Sequence, residues 1–297
     1  MKSPSPSIGR ATLLIVISAI SFGSISVLTI LVTGAGVSLL TAMAWRYVIG
    51  AALLAPTLTT DDARRVPRRR VIELLLIGGC GQALITYLSL FSLNYIPVGP
   101  LAFLFYTYPA WVALIAAVRK TERLTPVRIT ALLLALIGVT VMIGTPAERL
   151  SPIGVALALT SAILYSFYLP ALEHLQNGVP PMFATFLLIA GAAISFVLSA
   201  LLTGQLSVPR DIPAWIYIML LATISTVLAF SSLIRGLAVL GPVRTAIIAT
   251  VEPFFTAVLG MVVLGNRFSV ATLVGGALIA AAILVIEWSS TRVRATA

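Results

Sequence analysis

Ten stretches of about 20 apolar residues, each the length an α-helix needs to cross a bilayer core, dominate the chain. They run over roughly 11–32, 38–58, 71–92, 98–118, 126–144, 152–173, 181–203, 213–235, 242–264 and 268–288. Turn chemistry separates them: Thr33-Gly34-Ala35-Gly36, Asn94 with Pro97 and Gly99, Gly144 to Pro152, Gly178 to Pro181, Gly204 to Pro213, and Gly241-Pro242. Only 9% of the residues are charged, against about 25% in soluble domains. That balance excludes an aqueous globular fold and predicts an all-α integral membrane protein. The first run is too long for the apolar core of a cleavable leader and reads as a retained helix.

The net charge is +10. In a chain this apolar, basic residues mark cytoplasmic loops rather than a nucleic-acid surface. Ten passes put fifteen Lys and Arg on the side of the two termini and only Arg149, Arg210 and Arg267 on the other. Both termini are therefore expected in the cytoplasm. The run Arg64-Arg65-Val66-Pro67-Arg68-Arg69-Arg70 reads as a topological anchor with modest attraction for anionic lipid. Arg46 belongs to neither side.

An internal repeat organises the passes. Residues 108–125 align without gaps to 252–269 at an offset of 144, matching Pro109 with Pro253, Ala113 with Ala257 and Arg123 with Arg267. Ser18-Ala19-Ile20 matches Ser161-Ala162-Ile163 at an offset of 143. The expected architecture is ten transmembrane helices as two inverted five-helix repeats, 1–148 and 149–297. An odd number of passes makes the second repeat enter from the opposite side. Inverted repeats are a transporter design, with solute held near the midplane where the halves meet.

Several stretches resemble the drug/metabolite transporter superfamily, specifically its EamA-like ten-helix members. They are Ala19-Ile20-Ser21-Phe22-Gly23, Trp45-Arg46-Tyr47, Leu101 to Trp111 (LAFLFYTYPAW) and Ala249 to Asn266 (ATVEPFFTAVLGMVVLGN). Asn266 departs from the acidic residue common in that family. The resemblance implies a carrier of small metabolites in the bacterial inner membrane. The aromatic content is most similar to the amino-acid exporter branch of YddG type.

Arg46 and Glu252 stand near the middles of the second and ninth runs. Ionisable groups at that depth face protein or water, and they are functional candidates. The structural alternative is an ion pair, or two separately hydrogen-bonded groups fixing helix packing. In the functional reading Arg46 attracts a substrate carboxylate, while Glu252 changes protonation or partner. Pro109 and Pro253 would bend the fourth and ninth helices at equivalent points, which favours paired hinges over packing kinks. Gln82, Thr86 and Ser89 share one stripe of the third helix, and Tyr165 and Tyr168 share a face of the sixth. Gln82, Thr86, Tyr165 and Tyr168, with Tyr87 and Tyr106, join Arg46 and Glu252 in the expected substrate-binding set. Such a group stacks on an apolar or aromatic solute while its hydroxyls fix orientation.

Other chemistries find little support. His174 stands alone and Cys80 is the sole cysteine, so neither a metal site nor an intrachain disulfide is expected. No phosphate-binding loop and no catalytic constellation occur in the sequence, which argues against an enzyme and against a cofactor. Small residues at Gly191-Ala192-Ala193 and Gly275-Gly276-Ala277 allow close packing, within the chain or in a homodimer. The expected function is secondary export of small organic metabolites, foremost amino acids with aromatic or apolar side chains, by alternating access. Nucleosides or organic cations are the alternative solutes. An intramembrane enzyme or a non-transporting scaffold is the rival from another class.

Overall fold

The computed structural model describes residues 8–59, 66–92, 94–96, 98–122, 124–143, 150–265 and 269–295. Arg64, Arg65, Pro97, Arg123, Arg149, Asn266 and Arg267, which carry part of the patterns above, lie outside the described residues. Among those described, the chain is helix and connecting turn throughout.

α1 (Ile8–Gly34) and α2 (Leu39–Leu54) meet at a short turn. There the Thr41 N–H donates to the Ser38 hydroxyl at 3.2 Å, capping α2. α3 spans Arg68–Ser92. The fourth pass is two pieces, α4a (Val98–Phe105) and α4b (Tyr108–Val118). α5 (Pro126–Ile143), α6 (Pro152–Gln176) and α7 (Pro181–Leu202) each open on a proline, where its missing N–H costs nothing. The helical run Ile212–Ala249 is divided at Gly241 (φ 73°, ψ 170°) into α8 (212–240) and α9a (242–249). α9b (Glu252–Leu264) and α10 (Val270–Ala295) follow. Seven of the runs are long and apolar enough to cross a membrane, and three shorter apolar helices, in α5, α9b and α10, bring the passes to ten.

The expected spans therefore hold, but the fourth and ninth are not continuous helices. They break at Tyr106-Thr107 and at Thr250-Val251, the same 144-residue offset as the sequence repeat. Tight three-residue bonds close both breaks, Thr107 N–H to Leu104 O at 3.3 Å and Val251 N–H to Ile248 O at 3.2 Å. Pro109 and Pro253 lie in the first turns of α4b and α9b. The expectation of a proline bending an unbroken helix is thus corrected: each proline starts a new helical piece, where it needs no donor. A second paired irregularity is a π-helical turn in the third helix of each half, Leu76–Gly81 in α3 and Thr223–Leu228 in α8.

The two halves interlock. α1 packs on α8 and α9 of the second half, and α6 packs on α3 and α4 of the first. α2 lies against α7, and α5 against α10. Exchanging each helix with the one five later reproduces this pattern, as two similar halves related by a pseudo-twofold require. Close crossings use the small residues. A Cβ on Gly79 would overlap the backbone of Gly191, and one on Gly138 would lie 2.7 Å from the Gly275 carbonyl oxygen. The small-residue runs therefore serve packing within the chain.

Candidate functional site

The broken helices and the polar stripe of α3 surround one cavity of about 310 Å³, with Phe230 and Leu233 of α8 at its wall. α1, α2, α3, α4, α6, α8 and α9 line it, and α5, α7 and α10 stay outside. Its lining runs from mid-helix to Thr29, Ile30, Ser89, Leu90 and Leu101, beside the turns at 35–38 and 94–96. Towards the opposite side it ends on Ile15, Leu169 and Leu233, all buried. The cavity thus points to one face of the molecule and is sealed from the other.

Glu252 begins α9b and is half-buried at the cavity wall. The break in the ninth pass puts Glu252 in the first turn of a helix inside the membrane, where the helix dipole favours an anion. That is the physical reason an apolar run tolerates a carboxylate at this point. Tyr106 interacts with the carboxylate through its hydroxyl, and Tyr108 and Tyr165 lie close enough to feel its charge. The Tyr108 and Tyr165 rings meet edge to face at 4.8 Å, and Phe105 stands 5.6 Å from Tyr165. An aromatic cage surrounds one acidic group.

Arg46 is 2% exposed and does not pair with Glu252; among the described residues it has no carboxylate partner. Its guanidinium is bound to α8 instead. Nε donates to Thr226 Oγ1 at 2.6 Å and Nη2 to the Ser225 carbonyl at 2.8 Å. Among the described residues Nη1 donates only to the soft Met43 Sδ, at 3.7 Å, and the group stacks over the Tyr47 ring at 5.0 Å. Of the two structural alternatives, separately bonded groups is the arrangement observed.

Gln82 and Thr86 also line the cavity, joined by a Gln82 Nε2 to Thr86 Oγ1 bond of 3.1 Å. Two expected residues do not line it. Tyr87 is 47% exposed and stacks on Phe91 at 5.6 Å, because one step along the helix from Thr86 turns it to the outer face. Tyr168 lies behind Tyr165, stacked on it at 5.8 Å, and its buried hydroxyl has no partner. Both are corrected from cavity lining to surface and packing positions. Phe22, Phe230 and Thr245, also at the wall, carried no site signal in the sequence, and Tyr108, one of the clustered fourth-run aromatics, stood outside the expected substrate-binding set. Tyr108 had a signal: the 144-residue offset places it opposite Glu252, so the two halves present equivalent residues to one space.

The sequence profile of the EamA-like transporter family matches the chain twice, over residues 9–144 and 152–288. An uncharacterized transporter of Archaeoglobus fulgidus is 24% identical over 271 residues, covering 91% of this chain and 94% of that protein. A solved crystal structure superimposes with a TM-score of 0.79 at 22% identity, covering 97% of this chain and 99% of that one, which establishes the fold alone. With its two matched halves meeting around one cavity, this chain belongs to the EamA-like transporter family, the membrane carriers of small solutes that its sequence resembles.

Proposed function

We propose that the protein is a secondary transporter that exports amino acids with aromatic or other apolar side chains, as in the exporter branch of YddG type. It would work by alternating access in a bacterial inner membrane, with both termini in the cytoplasm. One observation carries the reading: a single cavity holds the Arg46 guanidinium and the Glu252 carboxyl group among aromatic rings. A zwitterion with an apolar side chain complements all three features. The volume of about 310 Å³ suits a small metabolite. The skewed Lys and Arg count supports the orientation. The moving bodies in this reading are α1 with α8 and α9 against α3 with α4 and α6, since those sets pack together.

A second reading has its own observation. The guanidinium of Arg46 is partly consumed by α8, whereas Glu252 stands in a tyrosine cage, an arrangement that also takes organic cations. Counterflow into proteoliposomes without nucleotide separates the two. Exchange of radiolabelled phenylalanine is expected. Exchange confined to quaternary amines favours the second reading, and a strict need for ATP sinks both.

A further inference from the structure

The third helix of each half carries a π turn, yet the two turns differ in chemistry. In α3 it is built of Leu76-Ile77-Gly78-Gly79-Cys80-Gly81, and in α8 of Thr223-Ile224-Ser225-Thr226-Val227-Leu228. A π turn shifts the backbone ladder by a residue and turns a carbonyl sideways, out of its usual helical bond; such turns recur at functional sites. In α8 the Ser225 carbonyl accepts from Arg46 Nη2 at 2.8 Å. The Thr226 hydroxyl spends its only proton on the Leu221 carbonyl at 2.9 Å, so its lone pair is fixed towards Arg46 Nε at 2.6 Å. In the other half, an offset of 143 places Ile189 opposite Arg46, and the facing π turn is rich in glycine. The backbone device belongs to the repeat, whereas the polar attachment exists once.

We propose that the α8 π turn orients Arg46 as the carboxylate subsite of the cavity, with Thr226 as its positioning residue. Two donors of the guanidinium are tied to α8, and Tyr47 holds its plane. What remains is Nη1, whose one hydrogen-bond partner among the described residues is the Met43 thioether at 3.7 Å, at the cavity wall. A fork pinned on one edge presents its other edge to a carboxylate without paying rotamer entropy on binding. Thr245, 1% exposed at the same wall, has a buried hydroxyl without a partner among the described residues.

This inference rests on the substrate reading above, and the test tells their failures apart. Binding of L-phenylalanine, phenethylamine (no carboxylate) and 3-phenylpropionate (no amine) is measured by calorimetry on the purified full chain. Thr226→Val keeps the volume and loses the hydroxyl. It is expected to weaken the two carboxylates roughly tenfold, the loss of one charge-assisted bond, and to leave phenethylamine within about twofold. Thr226→Ser should restore wild-type affinity. Should Thr226→Val not fold, Arg46→Lys, which keeps the charge but loses the two-pronged attachment, is compared in the same way. An equal effect on all three solutes, or none on any, overturns the subsite while leaving phenylalanine a substrate. Wild-type binding of phenylpropionate but not phenylalanine, with the Thr226→Val loss intact, keeps the subsite and sinks the amino-acid reading. A wild-type protein that binds phenethylamine alone, or none of the three, overturns both.

Discussion

Neighbouring aromatic residues differ sharply in what they do here. Tyr108 opens α4b, faces the cavity and touches the ring of Tyr165, while Tyr87 stacks on Phe91 at the outer surface. An aromatic contact contributes about 0.5 to 1.5 kcal/mol beyond burial. Tyr108→Ala is therefore expected to raise the transport KM about 2- to 10-fold. Tyr87→Ala should leave it within about twofold. Initial-rate uptake in proteoliposomes checks both, and equal losses would return Tyr87 to the site. At this scale the sequence was informative about types and less so about directions. The stripe of Gln82 and Thr86 faces the cavity as the 3.6-residue period requires. The period alone gives no reason to exclude Tyr87, because apolar surface surrounds a membrane helix on every side and the aqueous contrast that normally selects a face is missing.

Between elements, van der Waals fit replaces the hydrophobic effect, since lipid tails are as apolar as leucine. α3 and α7 approach so closely that Gly79 and Gly191 meet backbone to backbone, at the π turn of α3. Gly191→Leu must push the helices apart and is expected to cost at least about 1 to 3 kcal/mol. The measurement is thermal unfolding in detergent, where the variant should melt lower than wild type. Gly9→Leu, with open space around its Cβ, is the control and should not change the midpoint. Unaltered melting of the first variant would mean that the crossing is looser than the structure has it. The paired helix breaks belong to this scale too. Their place was marked by Tyr108-Pro109 and Glu252-Pro253, but a proline inside an apolar run predicts a bend and a fresh start equally well. Only the bonds before each proline distinguish them.

The whole molecule is open towards one side and fastened on the other. Glu122, in the turn after α4b, reaches the N-terminus of α9a: Val243 N–H donates to its Oε1 at 3.4 Å. Arg128 holds the other oxygen at 2.8 Å. Gly241 leaves room there, since its Cβ would stand 3.2 Å from the same carboxylate and its φ of 73° suits glycine. The contact ties α4 to α9, which belong to the two bodies proposed to move, on the side where the cavity is sealed. Closing it covalently should stop transport. Cysteines at Glu122 and Val243, in a Cys80→Ser background, are joined by a short reducible thiol cross-linker. Flux is expected to fall below about a tenth of its unlinked rate and to return on reduction, a change of 1.4 kcal/mol or more in effective barrier. Undiminished flux in the linked protein would mean that this side does not open during the cycle.

Hydropathy by itself determined the number of passes, their limits to within a few residues, and the all-helical fold, because a bilayer leaves a chain of this composition no other way to satisfy its backbone. The 144-residue offset likewise made the repeat and the positions of both helix breaks legible. Tertiary structure alone decided where the two mid-membrane charges go. Sequence offered Arg46 and Glu252 as candidate partners; folding gave Arg46 to the π turn of α8 and Glu252 to the tyrosines of α4 and α6. A π turn has no composition of its own, and hydrogen-bond partners 180 residues apart, as Arg46 and Thr226 are, leave no periodic trace in the chain. They are set by which helix lies against which, and that is decided only when all ten passes pack together.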